Sequence, residues 1–180
     1  MSEVSAGLRV RPATPADARA IAAVHRESWR TTYAGILPLA VVAREAGRKS
    51  ERAWGQRLAM PASLCATYVA ERAGEGAVGF VHCGSARAPI EGLEAEIYAL
   101  YVLQPQQRRG AGRALVREAA RHFVRQGQFG FYLWVLKANR ARLFYESLGG
   151  EVVGEKTESL GGHPFAEVAY AWHDLTALVG

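Results

Sequence analysis

Residues 107–113, Gln-Arg-Arg-Gly-Ala-Gly-Arg, combine the residue types that bind phosphate groups. The two glycines let the backbone approach a ligand closely, and the unpaired amides of a first helical turn point towards an anion. The helix dipole adds positive potential at that end, and the three arginines supply charge-assisted donors. The segment therefore predicts a site for a ligand that carries phosphates.

Other catalytic and ligand-binding motifs do not fit the sequence. A Walker A loop ends in Gly-Lys-Ser or Gly-Lys-Thr, and residues 107–113 contain no lysine. A Rossmann fingerprint needs glycine or alanine where this chain has Leu115. The histidines show no metal-ligand spacing, and no Gly-x-Ser-x-Gly elbow is present, so we expect neither a metal site nor a serine hydrolase.

The composition indicates what kind of protein carries this loop. The chain has 180 residues, 49% hydrophobic and 22% charged, which predicts one globular domain over residues 1–180 with a flexible tail at residues 1–6. We find no secretory signal and no membrane-length apolar run, so we expect a cytoplasmic protein that does not contact a membrane. Cys65 and Cys83 are interpreted as small, reduced, buried side chains.

The net charge of +5 leaves two classes of partner open. A basic surface suits either nucleic acid or an anionic small ligand. Clustered lysines, interleaved aromatic residues and the known nucleic-acid-binding signatures are missing from the sequence, so we expect no nucleic-acid partner.

Periodicity and turn signals predict the elements that must position the phosphate loop. Strands are predicted at residues 8–11, 67–71, 77–83, 94–103, 131–136, 151–155 and 165–172, with a loop at 85–92. Helices are predicted from Thr14 to about residue 30, over residues 39–60, from residue 110 to about 126, and after Asn139. This order indicates a mixed α/β or α+β sheet with helices on its faces and a crossover between the strands at 94–103 and 131–136.

The strand at residues 94–103 carries the strongest alternation in the chain. The pattern predicts one face formed by Glu94, Glu96, Tyr98, Leu100 and Val102, and the other by Ala95, Ile97, Ala99 and Tyr101.

Three motifs in order resemble the GNAT superfamily of N-acetyltransferases. Residues 107–112 match the family's pyrophosphate loop, Gln/Arg-x-x-Gly-x-Gly/Ala, which directly follows a strand. Residues 96–102 are similar to that preceding strand. Residues 133–150 are similar to the second cofactor segment, although Asn139 lies six residues before Tyr145 where many members have seven. Residues 29–38 resemble the acceptor-side helix of some members.

The resemblance implies a mostly antiparallel central sheet flanked by helices, with two strands splayed apart to bind acetyl-CoA between them. It assigns the pantetheine arm to the backbone of one strand and the pyrophosphate to the loop. The implied cofactor-binding residues are Leu100, Tyr101, Val102, Gln107, Arg108, Arg109, Gly110, Ala111, Gly112, Arg113 and Asn139. Asn139 is equally a helix N-cap.

The resemblance also implies catalytic roles. Glu96 is the candidate general base that removes a proton from the ammonium, directly or through water, and Tyr145 is the candidate general acid for the thiolate. Trp29 and Tyr33 are candidates for lining the acceptor pocket, since they are four residues apart on a helix. The alternatives are an exposed strand carboxylate for Glu96 and core packing for the three aromatic residues.

Two functions from different classes follow. The first is an N-acetyltransferase that moves an acetyl group to a primary amine, small molecule or peptide, by direct attack in a ternary complex. The alternative is a regulatory module with the same fold that binds coenzyme A without turnover. Dimerisation is common in the family, and the sequence specifies neither an interface nor the acceptor.

Overall fold

The computed structural model describes residues 7–180, and the strands of these residues form one seven-stranded sheet. The flexible tail predicted for residues 1–6 lies outside the described residues. The strands are β1 (Leu8–Pro12), β2 (Cys65–Arg72), β3 (Gly76–Ile90), β4 (Leu93–Val102), β5 (Phe131–Leu136), β6 (Glu151–Leu160) and β7 (His163–Trp172). The helices are α1 (Ala18–Tyr33), α2 (Leu39–Arg48), α3 (Glu51–Leu58), α4 (Ala111–Arg125), α5 (Ala141–Ser147) and α6 (Thr176–Val179).

The strand order β1-β2-β3-β4-β5-β7-β6 confirms the mixed, mostly antiparallel sheet. Only the central β4–β5 pair is parallel, and α4 forms the predicted crossover between these two strands. A parallel pair needs such a crossover because both strands must start at the same end of the sheet.

Helices cover both faces of the sheet. The larger core lies on the face where α4 and α5 pack on the sheet, and α4 contributes Leu115, Ala119 and Phe123 to it. On the opposite face, α1 and α3 bury Ile21 and Trp54 against the sheet. We refer to these as the α4 face and the α1 face.

Local signals explain where the first helices begin and end. Thr14 and Asp17 form a capping box ahead of α1, with the Thr14 amide donating to the Asp17 carboxylate at 2.7 Å. The helix predicted over residues 39–60 is two helices, because Ser50 starts a new one by accepting from the Ala53 amide at 3.2 Å.

The loop predicted at residues 85–92 is wrong, since β3 continues to Ile90 and turns back through Glu91 and Gly92. Long-range contacts hold this extension. The backbone amide of Arg87 donates to the Glu96 carboxylate at 3.0 Å, and the Tyr132 hydroxyl donates to a backbone carbonyl of the extension at 2.7 Å. A sequence pattern with proline and small residues contains no signal for those partners.

The predicted alternation along β4 is wrong beyond Ile97. The register with β3 shifts between His82 and Cys83, so that β4 has one residue more than its partner at Tyr98. As a result Ile97 and Leu100 contact the same α4-face core, whereas Tyr101 packs on the α1 face.

Replacing Gly84 by alanine is expected to lower the free energy of unfolding by about 1–3 kcal/mol. A Cβ there would lie 2.8 Å from the Tyr98 hydroxyl and 2.9 Å from Cα of Cys65, so backbone must shift. The matched control is Gly47→Ala in α2, where no atom lies within 4 Å, and it should add up to about 1 kcal/mol. Urea unfolding checks both; equal effects would contradict the packing argument.

Candidate active site

The parallel pair β4–β5 opens after only two paired positions. Glu96 pairs with Tyr132 and Ile97 with Leu133, while β4 continues to Val102 and β5 to Leu136. The bulge at Tyr98 turns β4 away at this point. Within the described residues, the edge of β4 that faces β5 has no ladder partner beyond Ile97, so its backbone donors and acceptors are open to a ligand. The strand splay expected from the resemblance is therefore present, and Leu100, Tyr101 and Val102 lie along it.

The phosphate loop lies where β4 ends and α4 begins. Gly110 is the N-cap of α4 with φ of +87°, a conformation that glycine adopts without the strain of a side chain. Ala111 and Gly112 form the first turn, whose amides point out of the helix end. A Cβ on Gly112 would lie 3.2 Å from the Phe144 ring, so the glycine allows α4 and α5 to approach closely.

The four polar side chains of the loop point to different places. Arg109 donates to Gln106 at 2.8 Å and lies 3.8 Å from Glu75 in the β2–β3 turn, so its guanidinium is held by the protein. The Gln107 amide donates to the carbonyl of Val102 at 3.1 Å. Arg108 and Arg113 are exposed and make no ion pair within residues 7–180. Arg108 and Arg113 therefore have guanidinium groups that are open to a phosphate ligand, and the predicted role of Arg109 stays a prediction.

Three tyrosines meet on the inner side of the splayed strands, and we call them the tyrosine cluster: Tyr33, Tyr101 and Tyr145. The hydroxyls of Tyr33 and Tyr101 are 3.1 Å apart. Burial, and then the charge of Tyr33, raise the pKa of the Tyr145 phenol above its usual value. Tyr145 therefore keeps its proton at neutral pH, as a general acid must. Trp29 packs on Tyr33 of this cluster, with ring centroids 4.4 Å apart.

Glu96 is buried rather than exposed on its strand, with 1% of the residue accessible. One oxygen accepts from Nε of Arg87 at 3.1 Å and from Nη2 of the same side chain. The other accepts from the Arg87 amide at 3.0 Å and contacts the Tyr132 hydroxyl at 3.2 Å. These contacts engage the lone pairs of the carboxylate, so a substrate reaches it only through another group.

Asn139 lies between β5 and α5, one residue before Arg140, which occupies the N-cap position of α5 that the sequence assigned to Asn139. Oδ1 of Asn139 accepts from the Ala141 amide at 2.9 Å. The side chain is partly exposed, and its role in cofactor binding remains a prediction.

A cavity of about 490 Å³ opens beside the tyrosine cluster. Its walls come from the α1–α2 loop, the end of β5 and the β6–β7 hairpin. The lining residues are Ile36, Leu37, Pro38, Leu136, Lys137, Ala138, His163, Pro164, Phe165 and Ala166. Trp29 and Tyr33 pack on the apolar cluster that contains the lining residues Leu37 and Leu136, so the predicted acceptor-side residues lie next to the cavity wall.

Sequence reasoning missed Glu167, which follows the last lining residue of the cavity. It lies on β7 opposite Leu136, and its charge acts on Tyr33. The alternation of β7 puts Glu167 on a face different from Val168, but the sequence does not show which face meets the cavity.

Residues 7–180 lack two kinds of feature, a metal-ligand cluster and a membrane-spanning helix. No group of three or more His, Cys, Asp or Glu residues is placed to hold a metal ion. None of the helices is long and apolar enough to cross a bilayer. Cys65 and Cys83 carry free thiols, and burial raises the pKa of Cys83 to about 12.

Known proteins are similar to this chain in sequence and in fold. A family model described as the acetyltransferase (GNAT) family matches residues 21–150, well over half of the chain. The uncharacterised N-acetyltransferase YuaI of Bacillus subtilis (strain 168) is 36% identical over 169 residues, which cover 94% of this chain and 95% of that protein.

Two solved structures have the same architecture. A GCN5-related N-acetyltransferase from Rhodopseudomonas palustris superposes with a TM-score of 0.73 at 21% identity, covering 95% of this chain and 98% of the other. The PaiA N-acetyltransferase from Thermoplasma acidophilum, solved with coenzyme A, gives a TM-score of 0.70 at 21% identity, covering 96% and 100%. At these identities the two structures support the fold alone.

Proposed function

The chain belongs to the acetyltransferase (GNAT) family and is an N-acetyltransferase, and from this premise we propose that it transfers the acetyl group of acetyl-CoA to a primary amine by direct attack in a ternary complex. The observation that carries the proposal is the opening of β4 from β5 beside the start of α4. An extended pantetheine arm fits the open strand edge, and a pyrophosphate fits the helix N-terminus. The structure of PaiA with coenzyme A supports this ligand.

The residues present fit such a ligand. Gly110 and Gly112 leave room for close backbone approach, and the exposed Arg108 and Arg113 supply positive charge at the loop. The open backbone from Leu100 to Val102 supplies donors and acceptors for the amides of the pantetheine arm. In this proposal one of those amides also polarises the thioester carbonyl.

Two proton transfers complete the reaction. The amine must lose a proton before its nitrogen can form the new C–N bond, because a lysine-type ammonium has a pKa of ~10.4. Glu96 remains the sequence-predicted base, and its burial means that the proton reaches it through water or the Tyr132 hydroxyl. As the C–S bond breaks, the second proton passes from the nitrogen to the departing thiolate through Tyr145, which donates its own proton to the sulfur and takes up the one released by the nitrogen.

Acetyl-CoA is expected to raise the melting temperature by roughly 5–10 °C. Ligand at about 100 times its dissociation constant stabilises the folded state by ~2.7 kcal/mol, which corresponds to this shift for a chain of such length. The measurement is thermal unfolding with acetyl-CoA, and with ATP and NAD as controls. No shift in folded protein free of bound coenzyme A would contradict the proposal.

The transfer itself is tested by coenzyme A release with a panel of amines. Turnover with primary amines, together with the thermal shift, is the expected result. A thermal shift without turnover of any acceptor would favour the regulatory module that binds coenzyme A.

A further inference from the structure

We infer that Glu167 binds the ammonium of the acceptor, and that the acceptor is a monocationic primary amine whose apolar body fills the cavity between the α1–α2 loop and the β6–β7 hairpin. This inference rests on the proposed function and names the class of its acceptor. Glu167 acts by binding and positioning the amine; Glu96 remains the candidate proton acceptor.

The position of Glu167 is fixed by the register of β7. Its Cα pairs with that of Leu136, and Leu136 and Ala166 both line the cavity. The neighbouring Val168 packs into the core on the α4 face. Because side chains alternate along a strand, Glu167 lies on the α1 face, opposite Leu136 and on the same side of β7 as Phe165, so that it borders the cavity that these two residues line.

The charged groups around Glu167 lack one positive charge, which favours the binding of one cation. Lys156 lies 3.3 Å from Glu167 and 3.2 Å from Glu158, so one lysine serves two carboxylates. The ammonium of Lys156 also lies 4.4 Å from the centroid of the Trp134 ring, which fixes it in place. The group therefore carries a net charge of about −1 before a substrate binds, and one ammonium neutralises it.

Glu167 also links the cavity to the reacting centre. Tyr33 packs on the apolar cluster that contains Leu136, the residue opposite Glu167. Burial raises the pKa of the Tyr33 phenol, and the charge of Glu167 adds to this effect. The Tyr33 hydroxyl lies 3.1 Å from that of Tyr101, which is on the splayed strand. An amine held at Glu167 is thus placed beside the strands between which the proposed thioester binds.

The cavity walls determine the rest of the acceptor. They are mainly apolar, with Leu136, Phe165 and the residues 36–38, and a volume of about 490 Å³ suits a small molecule. The lining contains Lys137 and no carboxylate, and Lys137 is itself paired with Glu155 at 2.8 Å. A second ammonium would find no free anion there, so an arylalkylamine fits and a polyamine does not.

The test compares Glu167→Gln with Glu151→Gln, using phenethylamine and spermidine as probes. Glu151 is an exposed carboxylate at the other end of the β6–β7 hairpin and is not part of the ion group around Lys156, which makes it a matched control. Glu167→Gln should raise KM for phenethylamine about 10–100-fold with kcat changed less than about threefold, because a charge-assisted hydrogen bond is lost. Glu151→Gln should change KM less than about threefold, and the wild type should prefer phenethylamine to spermidine.

Calorimetric titration of phenethylamine into protein saturated with coenzyme A tests the same contact without turnover. Weaker binding to Glu167→Gln than to Glu151→Gln supports the inference even if no amine is acetylated, in which case only the proposed function fails. Equal binding of phenethylamine to both variants and the wild type, or a preference for spermidine, would overturn the inference.

Discussion

Replacing Tyr145 by phenylalanine is expected to lower kcat about 100-fold while KM for acetyl-CoA changes little. General acid catalysis contributes about 10²–10⁴ in rate, and phenylalanine removes only the proton donor. Tyr145 is buried on α5, and burial keeps its hydroxyl protonated. Without this donor the departing thiolate must take its proton from a less well positioned group. Steady-state kinetics of coenzyme A release measure the effect.

A matched control separates this role from the general loss of a tyrosine hydroxyl. Tyr68 is also buried, but its hydroxyl contacts His122 at 3.2 Å and Arg125 at 3.0 Å on the α4 face. Tyr68→Phe should therefore cost stability and leave kcat nearly unchanged. A full rate in Tyr145→Phe would reject the acid role, while the family assignment would stand.

The parts of this site that could be predicted from sequence are those that local chemistry determines. The loop at residues 107–113 is recognisable because glycine at 110 is required by its φ of +87° and because the helix start follows directly. The strand β5 and the helix α4 are found by their apolar pattern and appear within a residue or so of the expected bounds. Each of these signals lies within a few neighbouring residues.

The parts that could not be predicted depend on partners far along the chain. The bulge at Tyr98 exists because β4 must match β3, and nothing in the alternation of β4 shows the extra residue. The sequence left an exposed strand carboxylate as the alternative for Glu96 and could not show that Arg87 and Tyr132 enclose it. The contact of Arg109 with Gln106 was likewise not visible in the loop sequence.

Acidification from pH 6.5 to pH 4.5 is expected to cost on the order of 5 kcal/mol of unfolding free energy. His25 accepts from Trp54 at 3.2 Å, and Nδ1 of His82 lies 2.9 Å from the Thr67 hydroxyl, both in the α1-face core. Burial lowers the pKa of His25 to about 3 and of His82 to about 4. The unfolded chain takes up protons near pH 6.5 and the folded one does not, so stability falls by ~1.4 kcal/mol per pH unit and histidine.

This pH range separates the contribution of the two histidines to stability from that of Asp17. Arg11 lowers the pKa of Asp17 to about 2 from 3.8, so the contribution of Asp17 is lost only below about pH 4. Urea unfolding at half-unit steps between pH 7 and pH 4.5 measures the slope. His82→Asn, whose amide can still bond Thr67, should reduce the slope by about half, with His163→Asn at the exposed start of β7 as the control. A flat stability over this range would show that both imidazoles ionise within the fold, and the α1-face core would then have to admit water beside Trp54.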